Sequence, residues 1–511
     1  MKLKVTRQLI VMLLIISPIT INFQNTFAQD IQPIHIHLTW QHDTETTITI
    51  SWRTFDKTSS IVQYGIDDSY GTEETGDETA VHHVELIGLN PDTVYHYRVG
   101  NGEVWSDDHT FKTGTSENHA RFIAWGDSRH NRPERRAIMN TVNSLDFDFS
   151  VFDGDFVDSG LDGRQWLDWF DDFSPLLSHK PFMSVLGNHE SNSSHFYNYF
   201  SYPGKEEYYS FNYGPIHFIC LHSCVPYYGV TFDEQINWLL NDLETYKDYD
   251  WKIVVQHRPA YSSSERNHEG DYDDIQTLLV PIYEEHNITM VISGHDHWYE
   301  RLQKNNITYV VAGAAGAPLY TIDEAYRIPE SVYSESTHHA VLIEIFENQL
   351  DMRAFRIDRT IMDQYTINRV DKPDLRCNNL PTTYNISKGQ SQNVTISIMN
   401  IGEVDILEET KAKVEISNGE TWNITVPPLN VYESVDFKYE WTAPDNGMYT
   451  WTVTTDIGNQ IDEVVEDNNQ AKFYFDAIET EKTGFFVKGI WVFIAALGTI
   501  IITALIKKRK N

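Results

Sequence analysis

Five short apolar runs in the middle of the chain end in the same way. Phe122 to Trp125 stops at Gly126-Asp127, Val151-Phe152 runs into Asp153-Gly154-Asp155, and Met183 to Leu186 stops at Gly187-Asn188-His189. Ile253 to Gln256 ends at His257, and Met290 to Ser293 ends at Gly294-His295-Asp296-His297. Runs of this length, bounded by turn residues, predict buried strands. Open α/β sheets present ligands at the carboxyl ends of their strands. Five such endings would bring three oxygen donors (Asp127, Asp155, Asn188) and three imidazoles (His257, His295, His297) to one edge. That mixture suits divalent Mn, Zn or Fe.

Between these runs, Pro133–Leu145, Gly163–Leu177, Phe232–Tyr246 and Asp271–His286 carry helical spacing, and 208–221, 307–312 and 340–357 read as further strands. Residues 119–369 are therefore expected to form a layered α/β sandwich with helices on its outer faces. On the N-terminal side, 31–114, polarity alternates with period two in short segments: Ile36–Trp40, Thr47–Trp52, Ile61–Tyr64, Val81–Leu86, Val94–Val99 and His109–Thr113. This predicts a β-sandwich with Trp52 and Tyr95 in its core or corner. Alternation returns in 372–475, at Val394–Ile398, Ala412–Ile416, Val435–Trp441 and Met448–Val453, which predicts a second, immunoglobulin-like sandwich without a ligand cluster.

The two ends differ from this body. Lys2, Lys4 and Arg7 precede an apolar run from Leu9 to Ile16 and a small-residue site near Ala28, which predicts a signal peptide over 1–28. Gly489–Ile506 is uncharged and apolar and is followed by Lys507-Lys508-Arg509-Lys510, which predicts one transmembrane helix and a cytoplasmic basic tail, 507–511. Residues 476–488 would be a juxtamembrane linker. The expectation is a single-pass protein of the cell membrane with its body outside. Without the seven cations of the two ends, 32 remain against 74 acids, a surface that repels nucleic acid. In an oxidising exterior Cys220 and Cys224 are close enough in sequence to pair, leaving Cys377 over. Asn192, Asn287, Asn306, Asn385, Asn393 and Asn423 begin glycosylation sequons.

Taken in order, Gly126-Asp127, Gly154-Asp155, Gly187-Asn188-His189-Glu190, His257 and Gly294-His295-Asp296-His297 resemble the metallophosphoesterase superfamily. The continuations His257-Arg258-Pro259 and His297-Trp298-Tyr299-Glu300-Arg301 are similar to purple acid phosphatases. So is the pattern from Leu86 to Tyr95, which resembles the fibronectin III-like domain preceding that catalytic domain. The C-terminal sandwich, down to Asp462–Asn469, resembles the cell-adhesion-related (CARDB) domains of surface proteins, and is expected to be a spacer, with carbohydrate or protein binding as the alternative.

The resemblance implies a four-layer α/β phosphoesterase sandwich holding two divalent ions. Asp155 would bridge them, Asp127 and His297 complete one site, and Asn188, His257 and His295 the other. The reaction implied is hydrolysis of phosphomonoesters by hydroxide generated at the metals. His189 would protonate the leaving oxygen, and Arg129, with Asn188 and His189, would contact the phosphate. Two positions depart from the purple acid phosphatase pattern. Arg129 stands where a glycine is usual, and Asp158 stands where a tyrosine ligates ferric iron, so no ferric–tyrosinate centre is expected. A phosphodiesterase or nucleotidase would use the same metals, its choice residing in loops 191–207, 223–231 and 262–272, the last carrying Glu265 and His268. In a different class, a surface adhesion protein would keep the metals for structure.

Overall fold

In a computed structural model, residues 31–478 are described apart from 116–118, 226–230, 347, 370–371, 379–382, 390, 403, 432, 459 and 462–468. They fall into two compact units that divide between Asn368 and Arg369. The predicted leader, bilayer span and basic tail lie outside the described residues, as does 479–488 of the linker. Among the described residues no helix is long and apolar enough to cross a membrane.

The first unit begins with a five-stranded antiparallel sheet. β1 (Ile34–Thr39) pairs with the first half of β2 (Thr47–Gly65), β3 (Thr72–Ile87) runs along most of β2, and β4 (Val94–Gly100) takes its second half and carries β5 (His109–Lys112) on its other edge. The segments Thr47–Trp52 and Ile61–Tyr64 are thus one strand rather than two. Its register shifts between Arg53 and Thr58, and a bulge of this kind bends a strand without ending its pairing. Trp52 is fully buried, and the Tyr95 hydroxyl accepts from the Asn90 N–H at 2.9 Å, a tyrosine corner.

Two sheets follow. In one, β6 (His119–Trp125), β7 (Phe149–Phe152) and β8 (Phe182–Ser184) are parallel. The other contains β9 (Tyr209–Tyr213), β10 (Ile216–Leu221), β11 (Trp251–Gln256), β12 (Met290–Ser293), β13 (Tyr299–Lys304), β14 (Ile307–Ala312) and β15 (Ser331–Glu335), with β10, β11, β12 and β14 parallel. The chain then returns to the first sheet as β16 (His339–Phe346), β17 (Gln349–Arg356) and β18 (Ile361–Asn368). The sheets meet through Phe122 and Phe149, whose rings lie 5.0 and 5.4 Å from Phe218.

Helix Gly163–Leu177 starts where the Asp162 side chain accepts from the Arg164 N–H. Its apolar stripe places Trp169 and Phe173 over Trp125 and Phe152, while Phe170 stacks on His35 of β1. The N-terminal domain therefore shares one continuous core with the two central sheets. Helix Asp233–Thr245 buries Leu239 and Leu243 in a separate cluster on the outer face of the second sheet, giving a helix–sheet–sheet–helix order. The helix expected over Asp271–His286 is instead two, Asp273–Leu278 and Val280–Glu285. Pro281 has no N–H to continue the first.

Cys220 and Cys224 are free thiols, which corrects the expected disulfide. Cys220 lies on β10 within the core beside Tyr209, whereas Cys224, past the strand end, lies near Asp155 and Arg258. Burial raises the Cys220 thiol to about 12, so it is inert as a nucleophile.

The second unit contains a three-stranded and a five-stranded sheet around a core with Trp441 and Trp451 packed edge to face at 5.4 Å. Ser391–Asn400 and Ser434–Thr442 belong to the first sheet, Thr410–Ile416 and Gly447–Thr454 to the second. Of the acidic stretch Asp462–Asn469, residues 462–468 lie outside the described residues.

Candidate metal centre

The loops after β6, β7, β11 and β12 are tied to one another by backbone hydrogen bonds. Asp127 N donates to Gly154 O (2.9 Å), Ser128 N to Asp155 O (3.0 Å) and Gly294 N to His257 O (2.9 Å). Three residues with candidate ligand side chains have left-handed backbones: Asp127 (φ 53°), Asp155 (φ 55°) and His295 (φ 70°). Such conformations cost about 1–3 kcal/mol each and persist where the surroundings over-determine them. The glycines are needed for approach: a Cβ at Gly126 would lie 1.5 Å from Asp153 Oδ1, and one at Gly187 would lie 2.2 Å from Asp155 Oδ1.

All six predicted ligand side chains converge, and Asp127, Asp155 and His257 form a buried donor cluster. His257 Nε2 is 3.4 Å from Asp155 Oδ1 and 3.0 Å from Asn188 Oδ1. His295 Nδ1 is 2.8 Å from Asn188 Oδ1 and 3.2 Å from His257 Nε2. His297 Nε2 is 3.2 Å from Asp127 Oδ1, and Asp127 Oδ2 accepts from the His295 N–H at 2.7 Å.

The proton positions test whether these groups fit a cation. His257 Nδ1 lies 2.7 Å from the Asp153 carbonyl, and His297 Nδ1 lies 2.7 Å from the Pro318 carbonyl. A carbonyl only accepts, so each neutral ring carries its proton on Nδ1 and a lone pair on Nε2. Those lone pairs face carboxylate oxygens, and Asp127 Oδ1 is buried with no hydrogen-bond donor among the described residues. Acceptor facing acceptor at this range is repulsive, and a cation between them resolves it. Burial first, and then His257, hold His295 well below its ordinary pKa and hence neutral, the form that ligates metal. Burial works against the charge of Asp127, yet its carboxyl is held below the ordinary value, the His295 N–H being among the groups that favour the anion.

Around the ligands, His189 is quarter-exposed, with Nδ1 2.7 Å from the Asp158 carbonyl and Nε2 3.9 Å from Asp155 Oδ2. Arg129 reaches inward: Nε is 3.5 Å from Asp155 Oδ2 and Nη2 is 3.3 Å from His297 Nε2. The Asp158 carboxylate takes His130 at 3.1 Å and Arg129 at 3.5 Å. Of the substrate loops, 226–230 lies outside the described residues. Glu265 begins the helix Glu265–Glu269, which also carries His268, whose ring centroid is 5.6 Å from that of Tyr326.

Glu190 stands in the third motif, but its residue type alone gives it no part in the site. Its buried carboxylate accepts from the N–H groups of Asp155 (2.9 Å), Phe156 (2.9 Å) and Gly187 (2.7 Å), clamping the loop of Asp155 to that of Asn188. Burial, then the Asp155 carboxylate, raise Glu190 to about 8. Removing this clamp strands three buried N–H groups at about 1–3 kcal/mol each. Glu190→Ala is expected to lose at least ~3 kcal/mol of unfolding free energy in urea and to weaken metal binding about 10–100-fold, as loss of a supporting hydrogen bond does elsewhere. Asp153, fully buried against Gly126 and Gly294, was also missed. Burial together with Asp127 and Asp155 raises its carboxyl well above the usual range.

Comparison with known proteins agrees with this geometry. Residues 33–113 match the purple acid phosphatase N-terminal domain, 114–299 the calcineurin-like phosphoesterase domain and 372–473 the CARDB domain. Purple acid phosphatase 21 of Arabidopsis thaliana is 30% identical over 305 residues, 53% of this chain and 66% of its own length. Acid phosphatase type 7 of Danio rerio is 25% identical over 321 residues, 53% and 71% of the two chains. The similarity thus spans about two thirds of these relatives. The structure of purple acid phosphatase PPD1 from yellow lupin seeds superposes with a TM-score of 0.59 at 19% identity, covering 66% of this chain and 75% of that one, which shows a shared fold.

Proposed function

We propose that this chain, which carries a calcineurin-like phosphoesterase domain and the purple acid phosphatase N-terminal domain, is a two-metal hydrolase of phosphomonoesters. The observation that carries this reading is the convergence of Asp127, Asp155, Asn188, His257, His295 and His297, with donor atoms of Asp127, Asp155 and His257 within 4.8 Å of one another in a buried cluster. Asp127, Asp155 and His297 would hold one divalent ion, and Asp155, Asn188, His257 and His295 a second, with Asp155 common to both. Bound there, a pair of ions supplies Lewis-acid charge to the phosphoryl oxygens and lowers the pKa of water into the neutral range.

The chain supplies the rest. Arg129 offers a planar fork of donors to the phosphoryl oxygens at the mouth of the site. His189 has its Nδ1 proton committed to the Asp158 carbonyl, so Nε2 is the atom that carries and delivers a proton to the departing ester oxygen as the P–O bond breaks. Asp158 orients His189 through its carbonyl and braces Arg129 and His130 through its carboxylate.

No tyrosine replaces Asp158 as an iron ligand in this reading. Tyr272 donates its hydroxyl to Asp296, and Tyr320 stacks on His297 with its hydroxyl towards Arg266. The iron-loaded protein is therefore expected to be colourless in the visible, and an intense purple absorption would contradict the ligand set. Hydrolysis of p-nitrophenyl phosphate against bis-p-nitrophenyl phosphate, with Mn or Zn supplied, tests the function. Preference for the monoester supports it, preference for the diester makes the chain a phosphodiesterase, and inertness of the metal-loaded protein towards both favours an adhesion role.

We further infer that the body faces outward, anchored by 489–506, with the CARDB unit as a spacer. Support comes from the leader-like N-terminus and the apolar run capped by four cations. Protease treatment of intact cells is expected to remove the catalytic domain while leaving the basic tail protected.

A further inference from the structure

We propose that a cavity beside the metal centre is the subsite for an uncharged, planar leaving group, and that the preferred substrate is a nucleoside monophosphate. This rests on the phosphomonoesterase reading above and specifies its substrate class. The cavity has a volume of about 410 Å³, within the range of about 300–1,000 Å³ typical of small-molecule sites. Trp298, Tyr320 and Tyr326 line it.

The cavity reaches the ligand His297 through the Tyr320 side chain. Asp296 and Trp298, which flank His297 in sequence, both line it. The Tyr320 ring lies on the His297 ring with centroids 4.1 Å apart and planes 17° from parallel, and Tyr320 N donates to His297 O. An ester whose phosphate meets the ions has its leaving group next to this aromatic wall.

Charge decides what that group is. Arg266 is the one cation among the lining residues, and it is already engaged: Nη1 is 2.6 Å from the buried Asp296 carboxylate, and the guanidinium lies 5.0 Å from the Tyr320 ring centroid. Against it stand three carboxylates, Asp296, Glu265 and Asp323. The excess negative charge repels a polyphosphate tail. Glu265 and Asp323 instead accept from hydroxyl and amino groups, such as those of a ribose and a base. Aromatic walls stack on a neutral ring and gain little from a short alkyl chain.

The test compares AMP, ATP and glycerol 2-phosphate as substrates of the Mn-loaded full chain and of Tyr326→Ala and Thr321→Trp. The first variant removes a wall and the second fills the space. Adenosine binding to the metal-stripped proteins is followed by isothermal titration calorimetry. In wild type, kcat/KM is expected to be highest for AMP. Both variants should lose about tenfold on AMP, ~1.4 kcal/mol, change less than about twofold on glycerol 2-phosphate, and bind adenosine more weakly. Equal losses on both esters, no loss on either, a wild-type preference for ATP, or no adenosine binding by wild type would each overturn the subsite. Adenosine binding that the variants weaken, in a protein hydrolysing none of the three esters, would support the subsite and overturn the phosphatase reading.

Discussion

Replacing Asp155 by alanine is expected to lower kcat/KM for p-nitrophenyl phosphate by roughly three orders of magnitude or more, ~4 kcal/mol of barrier, and to reduce bound metal below two ions per chain. A donor oxygen of Asp155 lies within 4.8 Å of donor atoms of both Asp127 and His257, one from each proposed group of ligands. If Asp155 serves both ions as proposed, its loss would remove a shared anionic ligand and leave Asp127, Asn188 and the imidazoles with less charge to oppose two dications. Asp155→Asn keeps the shape and an oxygen able to accept from the His189 N–H, which in the wild type is 3.0 Å from Oδ1. That variant is expected to fold normally while losing most of the activity. Inductively coupled plasma mass spectrometry alongside initial rates separates metal loss from misfolding, which circular dichroism reports.

The second large effect concerns His189. His189→Ala is expected to slow hydrolysis of alkyl phosphates by about 10²–10³-fold, within the span found for general acids, but to slow p-nitrophenyl phosphate much less. An alkoxide is a poor leaving group without a proton, whereas p-nitrophenolate departs readily. A plot of log kcat against leaving-group pKa should therefore be steeper in the variant than in wild type. Equal slowing across all leaving groups would make His189 a phosphate contact rather than a proton donor. Arg129→Ala serves as the contrast, since a lost phosphate contact weakens all esters alike and leaves the slope unchanged.

Much of this centre is legible in the sequence. A ligand that directly follows a short apolar run must emerge at a strand end, so Asp127, Asp155, Asn188, His257, His295 and His297 pointed to one edge. Groups that act through the backbone were not legible. The Pro318 and Asp153 carbonyls, which set the proton positions of His297 and His257, leave no trace in residue type. Glu190 stood within a quoted motif, yet its value lies in three N–H groups brought together only by folding.

The same limit explains the misread elements. Period-two alternation marks each half of β2 but is blind to the bulge that joins them. Helical spacing runs through Asp271–His286 although Pro281 divides it. The proximity of Cys220 and Cys224 in sequence says nothing of a strand that carries one thiol into the core and a turn that takes the other towards Asp155. The aromatic pocket between Trp298 and Tyr326 draws on segments whose spacing carries no motif at all.

Stepwise return of Mn to the stripped full chain, with bound metal and p-nitrophenyl phosphate hydrolysis recorded at each addition, addresses the dinuclear site most directly. Activity should rise until two ions are bound per chain and then level off, with Asp155→Ala remaining inactive throughout. A chain that binds no metal, or one that hydrolyses the ester equally well without it, would contradict the account.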